Sequence, residues 1–355
     1  MMKILLIRPF NSGGGVGSYY DKIMIHFKCN VRYFYIGKRK RNSIPVLRLI
    51  KDYYLFVIEV ARNDYDLVHV NPSLRFNAVI RDGIFLLLSK LFRKKTVIFF
   101  RGWDDEFENT IRKRYSKLFG LVFFSADAII VLASRFKTTL QEMGCTRPIF
   151  LETTLVPDEV FGFNKIGHLK NGDTRMLNIL FLSRIEKYKG VYEAIETFII
   201  LKKSYPNITM TLAGDGSEFI AVKAYLENRN VTGVAIPGWL NNEKKMKAYQ
   251  NADIYLFPSY AEGMPNSLLE AMAYGLPVVT RPVGGVEDFF QNGEMGFSTE
   301  STEPKVLAQL CEILIRDNER RTIIGRFNSK YAREHFIASS VCKRLEAIYH
   351  EIGNK

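Results

Sequence analysis

Short apolar runs recur along the chain at residues 3–8, 66–70, 96–100 and 128–132, each rich in β-branched or aromatic side chains. Runs of this length and texture predict strands buried on both faces. Between them lie longer stretches, 16–28, 46–62, 72–92 and 134–143, whose apolar residues recur at helical spacing. The second half repeats the pattern, with strands expected at 177–183, 208–213, 233–236, 253–257 and 277–280 and helices at 190–204, 217–229, 242–251 and 266–274. Alternation of strand and helix implies parallel sheets with helices on both faces. Residues 152–175 break the alternation with Pro157, Gly162, Gly167, Asn171 and Gly172, so a linker is placed there. The expected organisation is α/β: two facing, doubly wound Rossmann-like domains, 1–163 and 164–355, with three helices over 302–352 ending the second. Ligands of such sheets bind outside the carboxyl ends of the strands, and two facing domains would share an interdomain cleft.

Charge changes this picture more than composition does. A hydrophobic fraction of 47% with 25% charged residues is ordinary for a globular chain and excludes a disordered or collagen-like one. The net charge of +13 is one-sided, however. Residues 1–165 hold 27 Lys/Arg against 15 Asp/Glu, whereas residues 166–355 hold 23 against 22. A basic half suggests a polyanionic partner, nucleic acid or an anionic membrane face. No nucleic-acid-binding module is visible, and no nucleic-acid partner is expected. The basic clusters are Lys38-Arg39-Lys40-Arg41, Arg93-Lys94-Lys95 and Arg112-Lys113-Arg114. The first runs into the amphipathic stretch 44–58, which suggests a peripheral surface segment. No secretory signal is read at the start, because Arg8 ends its short apolar run, and no long uninterrupted apolar stretch predicts a transmembrane span. Cys29, Cys145, Cys311 and Cys342 are scattered, which points to reduced thiols and a cytoplasmic chain.

Three constellations carry chemistry. Asn11-Ser12-Gly13-Gly14-Gly15-Val16-Gly17 follows the first strand and opens the first helix, where glycines allow close backbone approach and a helix start favours an anion. Its spacing is neither the dinucleotide fingerprint nor a P-loop, and a plain strand–helix turn is the competing reading. The stretch Phe181 to Gly190 puts Arg184 and Lys189 in one strand–helix loop, suited to a diphosphate unless the loop is merely solvated. The third is Pro258-Ser259-Tyr260-Ala261-Glu262-Gly263-Met264-Pro265-Asn266-Ser267-Leu268-Leu269-Glu270. Pro265 suits a first helical turn, the backbone N–H groups of Met264 to Ser267 precede any helical partner, and each glutamate can accept two sugar hydroxyls.

This last segment resembles the E-x7-E motif of the retaining family 4 glycosyltransferases, which have the two-domain GT-B fold. The resemblance extends through Ser183-Arg184 with Lys189-Gly190, Ala213-Gly214-Asp215-Gly216, Pro237-Gly238, Gly275-Leu276-Pro277-Val278-Val279 and Gly284-Gly285-Val286-Glu287. It is near-continuous over 177–300 and weaker over 1–150. It implies that Arg184 and Lys189 bind and stabilise the leaving diphosphate, and that Glu262 acts beside the donor sugar. It further implies that Gly263, Met264, Pro265, Asn266 and Ser267 line the donor, that Glu270 holds the ribose, and that Gly14, Gly15 and Gly17 close on the diphosphate. No metal or other cofactor is implied.

The first half departs from the family pattern. His69-Val70-Asn71 stands where many relatives have His-x-His, and Arg101-Gly102-Trp103-Asp104 where many have a strand-end histidine. Arg101 stays protonated and cannot act as a base, but it suits a phosphate or an acidic sugar. His69, Asn71, Arg101 and Asp104 are therefore candidate acceptor or donor contacts, with a buried strand-end role as the competing reading for His69. Trp103 is a candidate acceptor platform. The function implied is metal-independent, retaining transfer of a sugar from a nucleoside-diphosphate sugar (UDP- or GDP-linked) to a hydroxyl of a glycan or lipid-linked glycan. Cell-surface polysaccharide assembly at the inner face of the membrane is the expected setting. A nucleotide-sugar epimerase and a non-catalytic sugar-nucleotide-binding relative are the alternatives.

Overall fold

The computed structural model describes residues 1–10, 15–37, 44–162 and 176–353. Asn11 to Gly14, the cluster Lys38 to Arg41, and Gly167, Asn171 and Gly172 of the expected linker lie outside the described residues. The chain divides into two compact units, Met1–Leu155 with Ala338–Lys355, and Val156–Ile337.

The first unit is built on a parallel sheet of β1 (Lys3–Pro9), β2 (Asn30–Ile36), β3 (Leu67–Val70), β5 (Lys95–Phe99), β7 (Ala128–Val131) and β8 (Ile149–Leu151), in the order β2-β1-β3-β5-β7-β8. Two short strands, β4 (Ser73–Leu74) and β6 (Gly102–Trp103), pair separately beyond β3 and β5. The connecting helices are α1 (Gly15–Ile23), α2 (Pro45–Arg62), α3 (Phe76–Leu91), α4 (Asp105–Thr110), α5 (Ser116–Phe123) and α6 (Ser134–Glu142). The central strands β3 and β7 are buried along their whole length, as their unbroken apolar sequences require. Phe56 and Val60 of α2 and Phe85 of α3 pack with Leu5, Ile7 and Val68 to form the core on one side of the sheet.

The second unit repeats the plan with β9 (Asn178–Leu182), β10 (Thr209–Ala213), β11 (Val234–Gly238), β12 (Ile254–Phe257), β13 (Val278–Thr280) and β14 (Gly296–Ser298). The sheet is again all parallel, in the order β11-β10-β9-β12-β13-β14. Its helices are α7 (Val191–Ser204), α8 (Phe219–Asn228), α9 (Asn242–Asn251), α10 (Asn266–Ala273), α11 (Val286–Phe289), α12 (Pro304–Arg316) and α13 (Asn318–His335). Phe181, Phe198 and Leu256 centre the core on one face of this sheet, and Tyr255, Leu268 and Met272 the core on the other.

The structure adds strands the sequence did not predict and corrects one expectation. β2 and β8 are edge strands at the two ends of the first sheet, and β2 is half exposed, so its Arg32 and surface tyrosines mask the apolar run that would have marked it. The last helix, α14 (Ala338–Gly353), belongs to the first unit, not to a second domain 164–355. Glu346 Oε1 accepts from the backbone N–H groups of Lys28 (2.7 Å) and Cys29 (2.6 Å), and Arg344 donates to the buried Glu152 at 2.6 and 3.1 Å. The two units are therefore joined by two strands of chain, at 155–156 and 337–338.

Candidate active site

In the second sheet, successive strands run one way from β9 to β10 and β11, and the other way through β12, β13 and β14. β9 and β12 are adjacent, so the loops leaving their carboxyl ends diverge and open a crevice at this switch point. Both candidate cations and Glu262 sit on these two loops, and Glu270 on the helix that follows the second. Arg184 and Lys189 follow β9, while Glu262 follows β12 and Glu270 lies on the helix after it.

The two loops are tied together. Lys189 Nζ is ion-paired and hydrogen-bonded to Glu262 Oε1, with both side chains about nine-tenths buried. Ser259 Oγ donates to the same carboxylate oxygen at 2.9 Å, and the Tyr260 N–H donates to the Tyr188 carbonyl at 2.9 Å. Lys189 also lies 5.0 Å from the centre of the Tyr188 ring, a cation–π distance. Arg184 is exposed on the outer part of the β9 loop and reaches the Tyr188 hydroxyl. A lysine buried against one carboxylate is fixed in place, whereas an exposed arginine keeps donors for an arriving anion.

Glu270 is 4% exposed, which excludes the plain reading of an exposed helix residue. Its Oε1 accepts from Lys245 Nζ at 2.9 Å and its Oε2 from the Tyr249 hydroxyl at 3.1 Å. Burial raises the Tyr249 and Tyr255 phenols well above their ordinary pKa, so both remain neutral hydrogen-bonding groups. Tyr255 bridges the loops from below, its hydroxyl 3.0 Å from the Leu182 carbonyl and 2.8 Å from Ser267 Oγ. Pro265 is the N-cap of α10 and makes no side-chain capping bond, so the N–H groups of Asn266 and Ser267 stand in the first turn beside Gly263 and Met264. Two glycines set these distances. Gly190, at φ +73°, starts α7, and a Cβ there would lie 2.2 Å from the Pro258 carbonyl oxygen. A Cβ on Gly284 would lie 2.1 Å from the carbonyl oxygen of Glu262 itself.

The candidate residues of the first unit are gathered at the corresponding edge of its sheet, but most are already engaged. Gly15 and Gly17 open α1, and the Gly17 carbonyl accepts from Nη2 of the buried Arg8 at 3.1 Å. His69 is fully buried, with Nε2 3.2 Å from the Tyr20 hydroxyl and Nδ1 2.6 Å from that of Tyr349 on α14. Burial, reinforced by Arg101, pushes its pKa down to about 3, so the ring is neutral. Asn71 accepts from Tyr20 at 2.6 Å and donates to the Ile7 carbonyl at 3.0 Å. Asp104 caps α4 by accepting from the Phe107 N–H at 3.0 Å, and Trp103 stacks on Phe136 at 4.2 Å and donates to Glu108 at 2.7 Å. Arg101 differs from these. Its guanidinium lies over the rings of Tyr19 (3.8 Å) and Phe99 (4.5 Å), and its Nε and Nη1 have no hydrogen-bond partner among the described residues.

Sequence reasoning alone missed Lys245, Tyr249 and Tyr255 around the glutamates, and Arg8, Tyr20 and Tyr349 around the first sheet. Only Ser259, three residues before Glu262, was near enough in sequence to be noticed. The others arrive from separate elements and carry no local signature.

Two doubly wound units, the second with cations and glutamates gathered at its switch point, define an α/β class whose crevice suits an anionic, hydroxyl-rich ligand. Over residues 168–331 the chain matches the model of the family described as glycosyl transferases group 1. It is 24% identical over 328 residues to an uncharacterized glycosyltransferase of Methanocaldococcus jannaschii, covering 88% of this chain and 81% of the relative. It is 31% identical over 179 residues to the capsular polysaccharide biosynthesis glycosyltransferase CapM of Staphylococcus aureus, covering 48% of this chain and 45% of the relative. The fold is similar to that of the Anabaena protein HepE, solved in complex with UDP-glucose, with a TM-score of 0.75, 18% identity, and coverage of 99% and 100% of the two chains. The protein is a glycosyltransferase of the two-domain GT-B fold.

Proposed function

We propose that this glycosyltransferase works with retention of anomeric configuration and without a metal ion, moving a sugar from a nucleoside-diphosphate sugar to a hydroxyl of a glycan or lipid-linked glycan. The observation that carries this reading is the pairing of Lys189 with Glu262 across the switch point, with exposed Arg184 on the same loop. In this reading Arg184 and Lys189 take the charge that develops on the departing diphosphate, the largest electrostatic demand of the reaction. Glu262, already oriented by Lys189 and Ser259, accepts hydroxyls of the donor sugar. The α10 N-terminus with Gly263, Met264, Asn266 and Ser267 cradles phosphate or sugar oxygens, and buried Glu270 accepts the ribose hydroxyls.

The first unit is assigned to the acceptor. Arg101 is its anion contact, because two of its N–H-bearing nitrogens lack partners. His69 and Asn71 hold the strand ends, and Asp104 and Trp103 shape the neighbouring surface. In this reading the cations Arg184 and Lys189 stand in the place a divalent ion would take. UDP or GDP is the donor nucleotide, UDP being the one held by the similar Anabaena structure. A capsular-type relative supports cell-surface polysaccharide assembly, and the basic first half supports a peripheral place at the cytoplasmic face of the membrane. No helix among the described residues is long and apolar enough to cross a membrane.

The test is transfer from a panel of UDP- and GDP-sugars to glycan acceptors in the presence of EDTA, with the product anomer read by NMR. Turnover with chelator and a product of the donor's configuration support the reading. An inverted product, or activity restored only by added metal, overturns it.

A further inference from the structure

Helix α3 is apolar on two opposite faces. Phe85 and Leu86 point into the core, and Phe76, Ile80, Ile84, Leu87 and Leu91 form a second stripe at helical spacing that is 36 to 74% exposed. An all-round apolar helix is ordinarily buried, yet here Phe76 meets the Phe107 ring of α4 edge-on at 6.1 Å while Ile80, Ile84, Leu87 and Leu91 stay 36 to 74% exposed. Its neighbours extend the patch. Tyr53 of α2 donates to the Arg81 carbonyl of α3 at 3.2 Å, and a Cβ on Gly83 of α3 would lie 3.3 Å from Val122 of α5, so the three helices lie side by side. On the outer side of α2, Leu47, Ile50 and Tyr54 are exposed, and on α5, Leu118 and Leu121. A contiguous surface of this kind marks an interaction site.

The charge on these helices selects the partner. Residues 45–62, 76–95 and 111–123 together hold 12 Lys/Arg and three Asp/Glu. Asp52 and Asp82 are buried, and Glu59 is turned to Tyr65 and Asn63, so no carboxylate of these segments is fully exposed. Lys51, Arg93, Lys113, Arg114 and Lys117 are exposed among the apolar side chains. Arg112, Lys94 and Lys90 are paired with carboxylates of neighbouring segments, but the remaining exposed charge of these helices is cationic, and an anionic bilayer complements it and the apolar side chains at once. Apolar side chains enter the acyl boundary while long cationic stems reach the headgroups.

We infer that the outer faces of α2, α3 and α5 form a docking surface for an anionic lipid bilayer, with the α3 stripe inserted. This rests on the proposed membrane-linked setting of the acceptor, but lipid binding can be measured without any substrate.

The experiment is flotation of the full chain with phosphatidylcholine vesicles, with and without 30% phosphatidylglycerol, at low and high salt. Parallel measurements cover light-scattering mass, urea midpoint and transfer to a water-soluble acceptor. The variants are Ile80→Gln/Ile84→Gln/Leu87→Gln and, separately, Lys113→Gln/Arg114→Gln/Lys117→Gln. Wild type should float with the anionic vesicles only. The apolar triple should lose more than about tenfold in binding at either salt, with unchanged urea midpoint and soluble-acceptor transfer. The charge triple should lose binding at low salt, where unscreened attraction matters most. Wild type remaining unbound at low salt, either triple binding like wild type, or a dimer dissolved by the apolar triple without vesicle binding would each overturn the surface. Transfer to a soluble acceptor with no lipid binding removes the surface alone. Lipid binding without transfer to any lipid-linked acceptor removes the acceptor reading alone.

Discussion

At the scale of single residues, the site is defined by what each charge is given as a partner. Lys189 and Glu262 are spent on each other until a ligand arrives, while Arg184 keeps most of its donors exposed. Removing Lys189 would leave Glu262 as a largely buried carboxylate held, among the described residues, by Ser259 Oγ, and would remove a cation from the leaving group. Lys189→Ala and Arg184→Ala should each lower turnover at saturating donor by about 10²–10³, the usual cost of one such contact, as read by initial-rate kinetics. His69 gives a different prediction. Its pKa is about 3 in the fold, against about 6.5 when unfolded, so the unfolded state binds the extra proton between those values. Its contribution to stability is present above about pH 6.5 and is lost as pH falls toward 3. Urea midpoints should fall between pH 7 and pH 5 in the wild type, and this slope should flatten in His69→Gln.

At the scale of elements, the site depends on loops that approach each other at backbone distance. The β9 loop ends in Gly190 against Pro258, and the loop after β13 brings Gly284 against Glu262. A methyl group at Gly190 must both adopt φ near +73° and displace the Pro258 carbonyl. Gly190→Ala should destabilise the chain by about 1–3 kcal/mol and weaken nucleotide binding, which denaturant titration and calorimetry with UDP or GDP would show. The strand–helix alternation, the two-residue loop features Arg184 and Lys189, and the glutamate pair were all legible in the sequence. Edge strands β2 and β8 were not, because a half-exposed or three-residue strand leaves no long apolar run.

At the scale of the whole molecule, the main surprise is the return of α14 to the first unit. Tyr349, Glu346 and Arg344 on that helix supply partners for buried groups on β3, on the segment before β2 and beyond β8. A chain ending at residue 337 would leave His69 without Tyr349 and the Cys29 N–H without Glu346. Each orphaned buried polar group costs about 1–3 kcal/mol, against a total stability of about 5–15 kcal/mol. The truncated chain should lose the cooperative unfolding of the first unit, measured by circular dichroism and proteolysis, while the second unit, whose residues all lie in 156–337, keeps its own transition.

Local order determined a great deal by itself. Alternating apolar runs and amphipathic stretches set the α/β class, and spaced glycines, cations and glutamates placed the chemistry after strands β9 and β12, because backbone period and turn chemistry act over a few residues. Tertiary structure decided everything that depends on which distant segments meet. It paired Lys189 with a glutamate 73 positions away, buried Glu270 beneath Lys245 and Tyr249, and carried α14 back to the first sheet. It also left the outer apolar stripe of α3 largely exposed. Those outcomes follow from how whole faces pack, and no local pattern records which face finds a partner.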